Sequence, residues 1–241
     1  MARLHLVAGR GRGTRIGGHH RSLPVAERYD ADVPDPRDAD TDHHADPPTD
    51  TDPGPSPWAR RSRRLVYEND WVAVYHDEVT RPDGEPGIYG VVHFRNLAVG
   101  VVAIDDVDRV LLVGQHRYTF DAYSWEIPEG GVPFDEDPLD GARRELREET
   151  GIDATDWREL GRLHLSNSIT DEAGILFLAG GLTQGEAAPE GTEDLRIRWV
   201  PFADALAMVD RGEILDAMSQ LGLERVARLR GADVRGRPAP A

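Results

Sequence analysis

An α+β fold is predicted for this 241-residue chain, and three observations predict it. Short β-branched and aromatic runs, broken by turn residues, begin near Arg64 and recur as far as Pro201. A strongly punctuated helical segment, opened by Asp137-Pro138 and closed by Gly151, interrupts those runs. Two more helical patterns, Phe202 to Asp210 and roughly Glu213 to Leu229, follow the last of them. Strands set around interposed helices imply a mixed sheet.

In chain order, Leu65 to Tyr67, Trp71 to His76, Ile88 to Phe94, Val99 to Ile104 and Val110 to Gln115 read as strands, the first few as antiparallel hairpins. Pro82-Asp83-Gly84 and Asp105-Asp106 supply turn chemistry between them. Beyond the punctuated helix, Trp157 to Leu165, Ala173 to Ala179 and Leu195 to Pro201 read as further strands. No internal repeat is visible.

Composition narrows the chemistry. The chain has no cysteine, which removes disulfides, thiolate metal sites and cysteine nucleophiles, so any metal must be held by oxygen or histidine. The apolar run Leu97 to Ile104 is far too short to span a bilayer, and Met1 to Gly18 lacks the apolar core and cleavage site of a secretion signal. A soluble, cytoplasmic protein with no membrane partner is expected. The formal charge of −16 argues against non-specific nucleic-acid binding, so a phosphate-bearing substrate would have to be met by local arginines or by metal ions. From Ala26 to about Pro57 the sequence is rich in Asp, Pro and Thr and is expected to be disordered.

The segment from Gly130 to Ile152 is the most informative. Asp137 can cap a helix whose first residue, Pro138, has no amide hydrogen to lose. Within it Leu139, Ala142 and Leu146 fall on one face, while Glu145, Glu148 and Glu149 cluster on an adjacent one. Like charges at those spacings cost a helix roughly a few tenths of a kcal/mol per pair, so a cation is the natural partner. A hard ion such as Mg²⁺ suits carboxylate and phosphate oxygens. Arg144 can fix a carboxylate by a bidentate hydrogen bond. Gly141 stands where a helix former is expected, a cost of up to roughly 1 kcal/mol, and reads as drift without consequence.

Taken together, Gly130, Glu136, Arg144, Glu145, Leu146, Glu148, Glu149, Gly151 and Ile152 fill every specified position of a pattern that resembles the Nudix box. Chance agreement in a chain of this length is on the order of one in a million or rarer, which sets aside the reading of a plain solvated helix face. The resemblance implies an α/β/α sandwich built on a mixed sheet, preceded here by an N-terminal antiparallel strand layer. The implied division is a tail over 1–57, the β layer over 58–98, the Nudix hydrolase domain over 99–230 and a second tail over 231–241.

The resemblance also implies roles. Glu145 and Glu149 would bind divalent ions directly, Glu148 would bind or orient metal and water, and Glu136 and Gly130 would give support. The carbonyl of Glu129, just before the box glycine, would be a further metal ligand, and Arg144 would belong to the catalytic group. The implied cofactor is Mg²⁺, with Mn²⁺ as the alternative. Gln115-His116-Arg117-Tyr118 and Trp125-Glu126-Ile127-Pro128-Glu129-Gly130 resemble the ADP-ribose and ADP-sugar pyrophosphatase branch, in which homodimers are usual. There Arg117 would contact phosphate through two guanidinium donors. Glu193, with Glu190 second, is the candidate base on an acidic loop. Ser166 to Glu172 resembles the branch's following loop but lacks a proline often found there. The implied reaction is hydrolysis of ADP-ribose to AMP and ribose 5-phosphate. A nucleotide-sensing module without efficient turnover and an enzyme for nucleoside triphosphates are the alternatives.

Overall fold

The computed structural model describes residues 55–185 and 195–231. Three strands, β1 (Ala59–Glu68), β2 (Val72–Thr80) and β3 (Pro86–Phe94), form an antiparallel sheet in that order. The turn between β2 and β3 follows from its residues. Gly84 takes a left-handed φ of 87°, while Asp83 accepts from the Glu85 amide at 3.1 Å and from Arg81. The first strand is longer than its apolar content suggested, because it is an edge strand whose charged residues face solvent, apart from Arg63, which pairs with the buried Asp77 of β2.

The centre of the molecule is a mixed sheet ordered β7 (Glu129–Pro133), β4 (Asn96–Ala103), β9 (Ala173–Gln184), β8 (Ile152–His164), in which β4 and β9 run parallel. A second antiparallel sheet is ordered β10 (Arg196–Pro201), β5 (Arg109–Arg117), β6 (Ala122–Glu126). Strand β4 is buried on both faces, which explains its unbroken apolar run. Ala98 and Val102 point into one core with Leu176, Met218 and Leu223, whereas Val99, Val101 and Ala103 point into another with Ala142, Leu146 and Ile175. Helix α1 (Pro138–Thr150) covers the second core; α2 (Phe202–Asp210) and α3 (Ala217–Leu229) cover the first. The mixed sheet thus lies between helices, as the resemblance implied.

Helix α1 begins and ends where its sequence signals place it. Asp137 accepts from the amides of Leu139 and Asp140 at 2.9 and 3.3 Å, and Gly151, at φ 71°, returns its amide to the Arg147 carbonyl. A cap is worth about 1 kcal/mol, and burying a leucine such as Leu146 about 1.5–3 kcal/mol. Packing therefore outweighs capping in holding α1 to the sheet.

Several expectations shift. Helix α3 starts at Ala217 rather than near Glu213, because Asp216 caps it by accepting from the Ser219 amide at 2.7 Å. Strand β8 extends back to Ile152, and β6 and β7, which the sequence reading left unassigned, flank the Ile127-Pro128 break. Gly141 is not drift: a Cβ there would collide with the Val132 side chain, so the glycine lets α1 approach β7 closely. The tails, with the expected disorder of Ala26 to Pro57, lie outside the described residues apart from 55–57 and 231.

Candidate active site

The site is built where α1 meets β7. Helical spacing puts Glu145 and Glu149 one turn apart on the same face, and both are buried, at 2 % exposure, against β7. Gly130 makes this contact feasible, since a Cβ on it would collide with the Glu145 carboxylate. The Glu149 Oε2 accepts the Glu129 amide at 3.1 Å. Both carboxylates therefore converge on the Glu129–Gly130 backbone.

Buried acids need compensation, and the first source is within the chain. Arg144 donates to Glu136 at 3.0 and 3.3 Å, to Glu145 at 2.8 Å, to Glu148 at 3.4 Å and to the Gly131 carbonyl at 3.4 Å. The Glu136 hydrogen bond, with the charges of Glu145 and Glu136, holds its pKa above the usual arginine value despite the opposing effect of burial. The orienting role expected of Arg144 acquires a geometry, a clamp between the loop at Glu136 and the helix. Glu148 departs from the expected trio. It sits three residues from Glu145, turns toward Arg144 and stays about one-third exposed.

The donor set must then be weighed against a divalent ion. Among the described residues no three Asp, Glu or His side chains converge as a metal-holding group. Two buried carboxylates beside a strand carbonyl nevertheless suit Mg²⁺, which keeps several waters and commonly takes one or two carboxylates plus substrate phosphate. The fit is to an ion completed by water and substrate, not to a closed protein cage.

Arg117 also differs from expectation. Its guanidinium fork faces Glu126, which is 1 % exposed, donating through Nε at 2.9 Å and through Nη2. Burial lowers the arginine's pKa, but the hydrogen bond and charge of Glu126, with Glu129 and Asp216 beyond, raise it further than burial lowers it. The two-oxygen grip foreseen for phosphate is thus occupied by a carboxylate, and Nη1 is the donor that Glu126 leaves.

Beneath β7 lies a second polar group that the sequence reading missed. The side chains of Glu129, Asp216 and Ser219 are buried, as is Glu126, with the half-buried Arg117 beyond. Burial, then the neighbouring Asp216 charge, pushes the Glu129 carboxyl well above its ordinary range. Burial also acts to raise Asp216, but hydrogen bonds from Glu129 and Ser219 bring it below its ordinary value. Of the two, Glu129 holds the proton. An Asp followed three residues later by Ser, just before an apolar helix, was the visible signal, and it reads as an ordinary cap.

The Ser166 to Glu172 loop is fastened to the N-terminal sheet. Asp171 contacts His93 Nδ1 at 2.5 Å and accepts the Phe94 amide at 2.9 Å, and the Tyr89 hydroxyl donates to the Ser168 carbonyl at 2.6 Å. Glu193 and Glu190 lie outside the described residues.

A capped helix thus brings two buried glutamates against a glycine strand on a helix-flanked mixed sheet, at the segment whose sequence resembles the Nudix box. The chain belongs to this family: residues 94–218 match the NUDIX domain. Residues 58–92 match the nucleoside diphosphate sugar hydrolase N-terminal domain. The chain is similar to a CMP-5'-(N-acetyl-N-hydroxy-3-aminopropyl)phosphonate hydrolase of Streptomyces rubellomurinus, 30% identical over 73% of this chain and 84% of that protein. It is 36% identical to an ADP-ribose pyrophosphatase of Mycobacterium tuberculosis over 63% of this chain and 74% of the relative. In fold it resembles a crystal structure of an ADP compounds hydrolase, with a TM-score of 0.66 at 21% identity, covering 72% of this chain and 95% of that one. No helix among the described residues is long and apolar enough to cross a membrane.

Proposed function

We propose that this Nudix hydrolase cleaves the pyrophosphate of ADP-ribose, giving AMP and ribose 5-phosphate, with Mg²⁺ or alternatively Mn²⁺ as its ion. The observation that carries this reading is the burial of Glu145 and Glu149 against the Glu129–Gly130 strand. Glu145, Glu149 and the Glu129 carbonyl would hold the ion, whose chemistry there is to neutralise phosphate charge and lower the pKa of a bound water. Arg144 keeps the Glu145 carboxylate oriented and ties it to Glu136. Glu148, reachable by solvent, orients water or metal from the rim. Arg117 would offer Nη1 to a phosphate oxygen while Glu126 holds the rest of the guanidinium. Glu193 remains the proposed base. The division into tails, β layer and hydrolase domain, a homodimer and a cytoplasmic setting complete the proposal, on the resemblance to the branch.

The test is a substrate panel. Purified full chain with Mg²⁺ is incubated with ADP-ribose, ADP-glucose, GDP-mannose, NADH, diadenosine polyphosphates and nucleoside triphosphates, and products are separated by chromatography. A CMP-linked phosphonate belongs in the panel, since one relative is named for that chemistry. AMP released fastest from ADP-ribose is the expected result. Preference for triphosphates would overturn the substrate assignment, and turnover of nothing would favour a nucleotide sensor.

A further inference from the structure

The backbone from Ile127 to Glu129 is pinned at successive positions. The Ile127 amide donates to Ser219 Oγ at 2.9 Å, the Pro128 carbonyl accepts from the Val101 amide at 2.9 Å, and the Glu129 amide donates to Glu149 Oε2 at 3.1 Å. Ser219 Oγ then donates to the Glu129 side chain at 3.0 Å. A hydroxyl has one hydrogen to give, so this serine spends it on Glu129 and accepts from Ile127. The residues on both sides of Pro128 are thereby fastened to one fully buried atom on the first turn of α3. Asp216 fixes that turn by accepting the Ser219 amide at 2.7 Å.

From this arrangement we infer that Ser219 is a positioning residue for the metal site, holding the Glu129 carbonyl in its ligating direction from the far side of β7. Helix α1 brings carboxylates to one face of the strand, and α3 sets the strand's own contribution from the other. The placement of Ser219 supports this: it shares a buried polar group with Glu129 and Asp216 at the edge of the apolar core of Met218, Leu223 and Val226, and its hydroxyl is hydrogen-bonded to the two residues that flank Pro128. Outer-shell partners of this kind typically change metal affinity about 10–100-fold when removed.

The inference rests on the reading of Glu129 as a carbonyl ligand, so the experiment separates the two. Mn²⁺ binding to the full chain is titrated without substrate by electron paramagnetic resonance, for wild type and Ser219→Ala. In parallel, ADP-ribose hydrolysis is followed against Mg²⁺ concentration, and melting temperatures are recorded. Wild type should bind Mn²⁺. Ser219→Ala should bind it about tenfold or more weakly, need correspondingly more Mg²⁺, and recover near-normal kcat and KM once metal is saturating. If Ser219→Ala does not fold, Ser219→Cys, which keeps the volume but hydrogen-bonds weakly, is read by the same criteria. Mn²⁺ affinity within twofold of wild type, with only a lowered melting temperature, would reduce Ser219 to a packing residue and overturn the inference. Wild type that binds no Mn²⁺ would instead overturn the metal reading beneath it.

Discussion

Helices α1 and α3 flank the same strands and are built alike at their starts, yet they carry opposite interiors. Each has an aspartate N-cap, Asp137 and Asp216, and each packs on the central sheet. Helix α1 buries Glu145 and Glu149 along with Ala142 and Leu146; α3 buries Met218, Leu223, Val226 and Ala227 and only one hydroxyl, Ser219. The difference shows where hydrophobic patterning yields to function. On α1 the buried charge is offset by Arg144 and, in the proposed mechanism, by an ion, whereas on α3 nearly the whole inward face is apolar and a single hydroxyl, Ser219, faces the polar group beneath β7.

The largest expected effect sharpens that contrast. Glu145→Gln and Glu149→Gln should each lower ADP-ribose turnover by at least about a hundredfold, with little loss of stability, because a neutral amide replaces a buried charge. Steady-state kinetics beside thermal melting checks both halves. Substantial activity in either variant would mean that the buried carboxylates of α1 are structural.

Arg144→Ala should come next, lowering kcat/KM about 10–100-fold, since Glu136 and Glu145 lose their common donor. Arg144→Lys should recover only part of this, because an ammonium cannot span Glu136 and Glu145 as the guanidinium does. Full recovery by lysine would mean that the charge alone matters.

A third change probes α1 as packing rather than chemistry. By helix propensity Gly141→Ala should stabilise by up to about 1 kcal/mol, but the new methyl meets Val132, and overpacking of that kind costs about 1–3 kcal/mol. Net destabilisation is expected in denaturant unfolding, relieved in the Gly141→Ala, Val132→Ala double variant. A more stable single variant would show that α1 does not need its close approach to β7.

The smallest effect lies in the turn between β4 and β5 and calibrates ordinary electrostatics. Asp105 accepts the Arg109 amide and side chain, each at 2.8 Å. Burial acts to raise its pKa, but these hydrogen bonds and the Arg109 charge bring it below 3.8. A depressed folded value means stability that is present above the unfolded value and is lost as pH falls through the folded one. Asp105→Asn should therefore cost about 1 kcal/mol at neutral pH and progressively less below about pH 4. Unfolding curves at several pH values decide it, and a cost independent of pH would contradict the assignment.

The contrast between the helices also explains what the sequence disclosed. Helix α1 was legible to the residue because its signals are local: Asp137-Pro138, Gly151, and charges at fixed spacing. Spacing puts Glu145 and Glu149 on one face and Glu148 one turn beyond Arg144, but the burial of the first two depends on the close approach of Gly130, and the tie of Arg144 to Glu136 is a loop contact that helical periodicity does not encode. Ser219 sits at a core-like position of α3 and was passed over, since its partners, Ile127 and Glu129, are about ninety positions away. The phosphate role of Arg117 came from the resemblance of Gln115 to Tyr118 to the branch, and its pairing with Glu126 was not legible because that partner lies on β6, a strand the sequence pattern does not announce.

The central claim, an ion-dependent hydrolysis supported by Glu145 and Glu149, is tested most directly by stripping the full chain of metal with a chelator. AMP release from ADP-ribose is then followed as Mg²⁺ is restored, for wild type and Glu149→Gln side by side. No AMP without metal, recovery of wild type on adding Mg²⁺ and failure of Glu149→Gln to recover is the predicted result. AMP release by the stripped protein at the full rate, or equal recovery of both proteins, would contradict it.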